Sequence, residues 1–102
     1  MKIYPINNEN HQLHAFEIDN SIINRKRVFK IISSIDGVNI TKKPKRIFSW
    51  FRESVFCEFE INGIQFEIEE PFGDNSRYWV GKSKHGGYCD ELLLVADAFR
   101  NA

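Results

Sequence analysis

A chain of 102 residues fits one domain, residues 1–102, and leaves no room for a second. Its apolar content of 42%, with nine Phe and two Trp, argues against disorder and supplies bulky core material. A formal net charge of zero implies no preference for nucleic acid or membrane, and two cysteines are too few for a disulfide framework.

The opening "MKIYPINNENHQ" has no apolar run of signal-peptide length, and nothing approaches the roughly 20 apolar residues of a membrane span. The expectation is a soluble cytoplasmic protein without membrane contact. Residues 13–18, "LHAFEI", alternate weakly and fit a short strand or the lead-in to a helix. "DNSIINRKRVFKIISSIDG" predicts a helix, with Asp19, Asn20 or Ser21 capping its start. Val28, Ile31, Ile32 and Ile35 form its apolar stripe, flanked by Ile22 and Phe29. Gly37 is its natural stop.

"VNIT" (38–41) reads as a strand and "KKPKR" as a polar turn. "IFSWFR" and "SVFCEFEI" read as one bent strand or two short ones. Asn62-Gly63, between alternating runs, is the preferred pair for a two-residue type I′ hairpin turn. That turn pairs Ile61 with Ile64, Phe59 with Phe66 and Cys57 with Ile68, and it adds Val55 to the same apolar face. The other face then sets Glu58 opposite Glu67, with Glu60, Gln65 and Glu69 beside them. "PFGDNS" is a turn, "RYWVGK" a further strand, and "SKHGGY" a flexible loop. "DELLLVADAFRNA" closes the chain as a helix capped by Asp90, with Leu92, Val95, Ala96 and Phe99 on one face and Leu93 widening it. The fold class is α+β: one antiparallel meander sheet of about four to five strands, with two helices packed on one of its faces.

The neutral total hides two blocks. Residues 25–52 hold nine Lys/Arg against Asp36, while residues 53–70 hold six Glu and no base. The blocks either neutralise each other in the fold or present separate patches to charged partners. Like charges opposed on a sheet cost up to roughly 1 kcal/mol. Arg46, Arg52 or Arg77 on a flanking strand would offset this, with Phe48, Trp50 and Trp79 as aromatic neighbours. Alternatively Glu58, Glu60 and Glu67 form an acidic partner-binding surface.

No motif completes a catalytic or metal site. His11 and His14 lack the Cys or acidic cluster of a zinc centre, "HGG" (85–87) lacks a nucleophile elbow, and no cofactor fingerprint is present. Cys57 reads as core. Cys89, just before a helix, is the more reactive thiol, since a helix N-terminus lowers a thiol's pKa. The basic run Lys42, Lys43, Lys45 and Arg46 with its aromatic followers is the only hint of single-strand binding, so nucleic acid is not the expected partner.

"EEPFGDNSRYWVG" (69–81) resembles a signature of small uncharacterised bacterial α+β proteins, including those carried on mobile integron gene cassettes; "HAFEIDN" and "SSIDGV" resemble the same group. The resemblance implies a stand-alone accessory protein of the kind encoded near toxins and immunity proteins. Physically, Glu70, Asp74, Asn75, Arg77 and Trp79 can meet at one sheet end. They either shape a turn, with Arg77 paired to a nearby Glu, or line a small pocket in which Arg77 takes an anionic ligand. The expected function is a non-enzymatic binding or protein-interaction domain, as a homodimer or as an accessory, immunity or antitoxin-like protein. The alternative is a small-molecule-binding protein or minor enzyme with a polar pocket around Asp74, Arg77 and Trp79.

Overall fold

The hairpin carries the plainest link from sequence to structure. In the computed structural model, which describes residues 1–42, 55–70 and 76–102, Asn62 and Gly63 take φ of 52° and 80°. Positive φ at both central residues is what a type I′ turn requires. The strands on either side pair as the alternation dictates: Ile61 faces Ile64, Phe59 faces Phe66, Cys57 faces Ile68 and Glu58 faces Glu67. A bulge between Val55 and Cys57 then shifts the register. Val55 falls opposite Glu69 and leaves the apolar face, contrary to the simple alternation. Phe56 is buried in its place, against the Tyr78 ring at 5.1 Å.

In chain order the elements are β1 (Tyr4–Asn7), β2 (Leu13–Asp19), α1 (Arg25–Ser33), β3 (Asn39–Lys42), β4 (Val55–Ile61), β5 (Ile64–Glu69), β6 (Arg77–Lys82) and α2 (Asp90–Arg100). The strands form one antiparallel sheet in the order β1-β2-β6-β5-β4-β3. Strands β3 to β6 are the expected meander. The β1–β2 hairpin extends it beyond β6, so among the described residues the sheet has six strands rather than four to five. The expected strand at 47–52, with Phe48, Trp50 and Arg52, and Arg46 just before it lie outside the described residues.

β2 is the short strand that the weak alternation of 13–18 allows, whereas β1 is not among the expected strands, and both are faint in the pattern for physical reasons. β1 is a short edge strand, largely exposed, and holds Pro5, which only an edge tolerates. β2 sits inside the sheet and buries Leu13, Ala15, Phe16 and Ile18. Cover on both sides at Ala15 and Phe16 blurs its alternation.

Helix α1 starts later than the capping residues 19–21 suggest. Asp19 stays in β2 opposite Arg77, and the cap is Asn24, whose side chain accepts from the Arg27 N–H at 2.8 Å. The helix buries Val28, Ile31 and Ile32 and carries the chain from β2 to the far edge of the sheet, while Ile22 stays exposed. Gly37, at φ 78°, serves the turn that follows. Helix α2 buries Leu92, Val95, Ala96 and Phe99, whereas Leu93 faces outward. Its N-cap is Cys89 and not Asp90, whose carboxylate accepts from the Tyr88 hydroxyl at 2.6 Å.

Buried residues of both helices and of the alternate sheet positions form one core. Phe59 and Phe66 stack at 5.3 Å, and Phe16 meets Phe99 edge-on at 5.6 Å. Both helices therefore lie on one face of the sheet, as the composition and stripes predict. The Cα radius of gyration, 12.7 Å, matches the roughly 13 Å of a single compact domain of this length. Among the described residues no helix is long and apolar enough to cross a membrane.

Candidate functional site

The face turned away from the helices is read directly from the register. One row across it runs Tyr4, Glu17, Trp79, Glu69, Val55. The next runs Ile6, Ala15, Gly81, Glu67, Glu58, and the backbone pairing places Lys42 opposite Glu58. Asp19 faces Arg77 at one end, and Glu60 faces Gln65 at the other. This face thus gathers Glu17, Asp19, Glu58, Glu60, Glu67 and Glu69 around Trp79.

Gly81 explains how Trp79 lies. A Cβ at Gly81 would stand 2.7 Å from the indole Cη2, 2.9 Å from Cζ2 and 3.1 Å from the Ala15 Cβ. The ring therefore lies across the glycine and over Ala15, which has no exposure at all. Only a residue without a side chain permits that approach.

The residues expected to converge at one sheet end are divided by the sheet. Glu70 turns to the helix side, where its carboxylate accepts from Arg25 Nη2 at 2.7 Å and Asn20 Nδ2 at 3.2 Å. The Arg25 guanidinium also lies over the Phe56 ring at 4.5 Å. Burial raises the Tyr78 phenol pKa, and nearby Glu70 adds to the rise against the pull of Arg25. Arg77 and Trp79 lie on the opposite face. Arg77 reaches Glu17 at 3.4 Å and Asp19 at 3.5 Å, and it stacks on Tyr4 at 3.6 Å, whose hydroxyl donates to Asp19 at 3.0 Å. Its guanidinium is occupied by the protein's own carboxylates, the alternative to anion binding. Asp74 and Asn75 lie outside the described residues. The separation follows from the strand period of two: Glu69 faces Trp79, so Glu70 goes the other way.

The hairpin glutamates are opposed as expected, but Arg77 does not offset them. Glu67 borders Gly81 on β6, and Arg77 lies four residues away along that strand, its guanidinium turned to Glu17 and Asp19 of β2. Gln65 donates to the Thr41 hydroxyl at 3.0 Å.

A cavity of about 430 Å³ opens on this face, lined by Glu67, Glu69, Trp79, His14, Lys84 and His85. Sequence reading finds Trp79 and Glu67 but misses the others. The loop after β6 is a sequence of left-handed residues: Lys84, His85, Gly86 and Gly87 take φ of 63°, 78°, 82° and 119°. Backbone bonds pin it, from Ser83 N–H to Gln65 O at 2.9 Å, Gly86 N–H to Lys82 O at 2.9 Å and Gly87 N–H to His14 O at 3.1 Å. A Cβ on Gly86 would meet His14 Nε2 at 2.8 Å. The Lys84–Gly87 loop is therefore a closely fitted turn that sets the Lys84 and His85 side chains beside the cavity. The glycine pair was the signal available in the sequence.

Both thiols are held protonated. Burial, aided by the neighbouring Glu58 charge, pushes Cys57 up to about 11. Burial also raises Cys89, outweighing the pull of the Leu92 and Glu91 amides and Lys82. This reverses the expectation of a thiol activated by the helix N-terminus. Among the described residues, no group of three or more His, Cys, Asp or Glu is placed to hold a metal ion. No family model matches the chain, and no curated protein or solved structure matches it.

Proposed function

We propose that the protein is a non-catalytic interaction module that presents its acidic sheet face to a basic protein surface. The observation that supports this reading is the placement of six carboxylates on the face away from the helices, with Trp79 among them. Of these, Glu17 and Asp19 are engaged by Arg77, while Glu58, Glu60 and Glu67 extend the acidic surface toward β3. Complementary charge steers association and fixes register, and a half-buried aromatic ring supplies an anchor. A homodimer built on this face would set like charges against each other, so the partner is a different, cationic protein. An accessory role of the immunity or antitoxin type is one concrete form, with the carboxylates masking a basic surface.

The test is capture from a lysate of the native host, comparing the wild type with Glu58→Gln/Glu60→Gln/Glu67→Gln at low and high salt. One stoichiometric basic partner, released by salt and by the triple substitution, is the expected result. Capture indifferent to both would overturn the reading.

A further inference from the structure

The cavity beside Trp79 sets Lys84, His85 and His14, which the partner reading does not use, beside Glu67, Glu69 and Trp79, which it does. Its polar groups are segregated by sign. Glu67 and Glu69 rise from β5 next to the indole, while Lys84 and His85 come from the loop after β6, and His14 completes the lining. Among the described residues, the side chains of Glu67, Lys84 and His85 make no hydrogen bond or ion pair with the protein. Glu67 and Lys84 line the same space without closing into a salt bridge.

The loop conformation makes this arrangement harder to dismiss as a surface hollow. Two consecutive residues with side chains, Lys84 and His85, hold positive φ. L side chains rarely adopt this conformation, so the surroundings must enforce it. Here the bonds from Gly86 and Gly87, and the close fit of Gly86 on His14, do so. The volume, about 430 Å³, lies within the range of small-molecule pockets, roughly 300–1,000 Å³.

We propose that this cavity binds a small zwitterion with a short apolar body, of the amino-acid or betaine class. Its cationic group lies over the Trp79 indole beside Glu67 and Glu69, where the ring quadrupole and the carboxylates both favour positive charge. Its carboxylate faces Lys84 and His85. The apolar linker rests on the indole. A simple anion would meet the two glutamates, and a simple cation would meet Lys84, so each is disfavoured against a molecule that carries both charges.

The experiment is a fluorescence titration of Trp79 in a Trp50→Phe background, with 4-aminobutyrate and glycine betaine as zwitterions, choline as cation and butyrate as anion. Saturable shifts with at least one zwitterion, at least about tenfold tighter than with choline or butyrate, are expected. Lys84→Ala and Glu67→Gln should each weaken that binding by about tenfold or more, without lowering the melting temperature. No saturable shift with either zwitterion overturns the proposal, as does choline or butyrate binding equally well. Those failures would leave the partner reading standing, because protein capture is read separately from small-molecule titration.

Discussion

Neighbours on β5 meet opposite fates. Phe66 and Ile68 point to the helices and are fully buried, whereas Glu67 and Glu69 point away and stay half-exposed. The same contrast runs across β6, where Tyr78 and Val80 are buried and Arg77 and Trp79 are not. One hydrogen-bonded ladder thus serves two surfaces. The helix side is joined by aromatic packing that tolerates little change in volume. The open side is joined by side chains whose loss removes charge but leaves no cavity in the core. Stability rests on the first surface, and the proposed recognition would rest on the second.

The largest effect that can break this comparison is a core truncation. Phe66→Ala removes the ring stacked on Phe59 and should cost about 3–5 kcal/mol in urea unfolding. Glu67→Gln, one residue along, should leave stability unchanged or raise it by up to about 1 kcal/mol, since it relieves the repulsion between Glu67 and Glu58. Comparable losses from both substitutions would show that the two faces do not divide as described.

An intermediate effect comes from pH. The Cys57 thiol is raised in the fold from its ordinary 9.0 to about 11. The unfolded chain therefore releases that proton first as pH rises. The stabilisation is complete below pH 9 and is lost between about 9 and 11. Its size is of the order of 2 kcal/mol, and raised Tyr78 and Cys89 act with the same sign. Chemical unfolding at a series of alkaline pH values should show this decline, and Cys57→Ala should flatten it at the cost of a lower plateau. The difference between wild type and Cys57→Ala reports on the helix side, since Cys57 has no exposure.

The smallest effect has the opposite sign. Glu58 and Glu67 stand opposite each other with Gly81 and Lys42 as the outer register neighbours. Glu58→Gln should relieve repulsion and raise stability by up to about 1 kcal/mol in low salt, with the gain shrinking as salt is added. A loss of stability would mean that Glu58 is held by attraction.

The parts of the fold legible in the sequence were those with a strict period or a strict turn. Asn62-Gly63 determined the hairpin and its register as far as Cys57, and the stripes of α1 and α2 named their buried faces. What escaped depends on contacts between distant segments. Ala15 and Phe16 are both buried because Trp79 covers one side of β2, and no local pattern reports that. The bulge at Phe56 reversed Val55. For the candidate site, the opposition of Glu58 and Glu67 was legible from the turn, and so was the chance that Arg77 pairs with a glutamate. The meeting of His14 with Lys84 and His85 was not, because it needs β2 beside β6 and a loop of four left-handed residues folded against them.

The central claim is that the open face can lose its charge without harm to the fold while losing its partner. Thermal midpoint and partner capture, measured together on Glu58→Gln/Glu60→Gln/Glu67→Gln, test it most directly. The account predicts a midpoint equal to or above the wild type and a partner no longer retained. A midpoint lowered by more than about 5 °C, or a partner held as firmly as before, would contradict it.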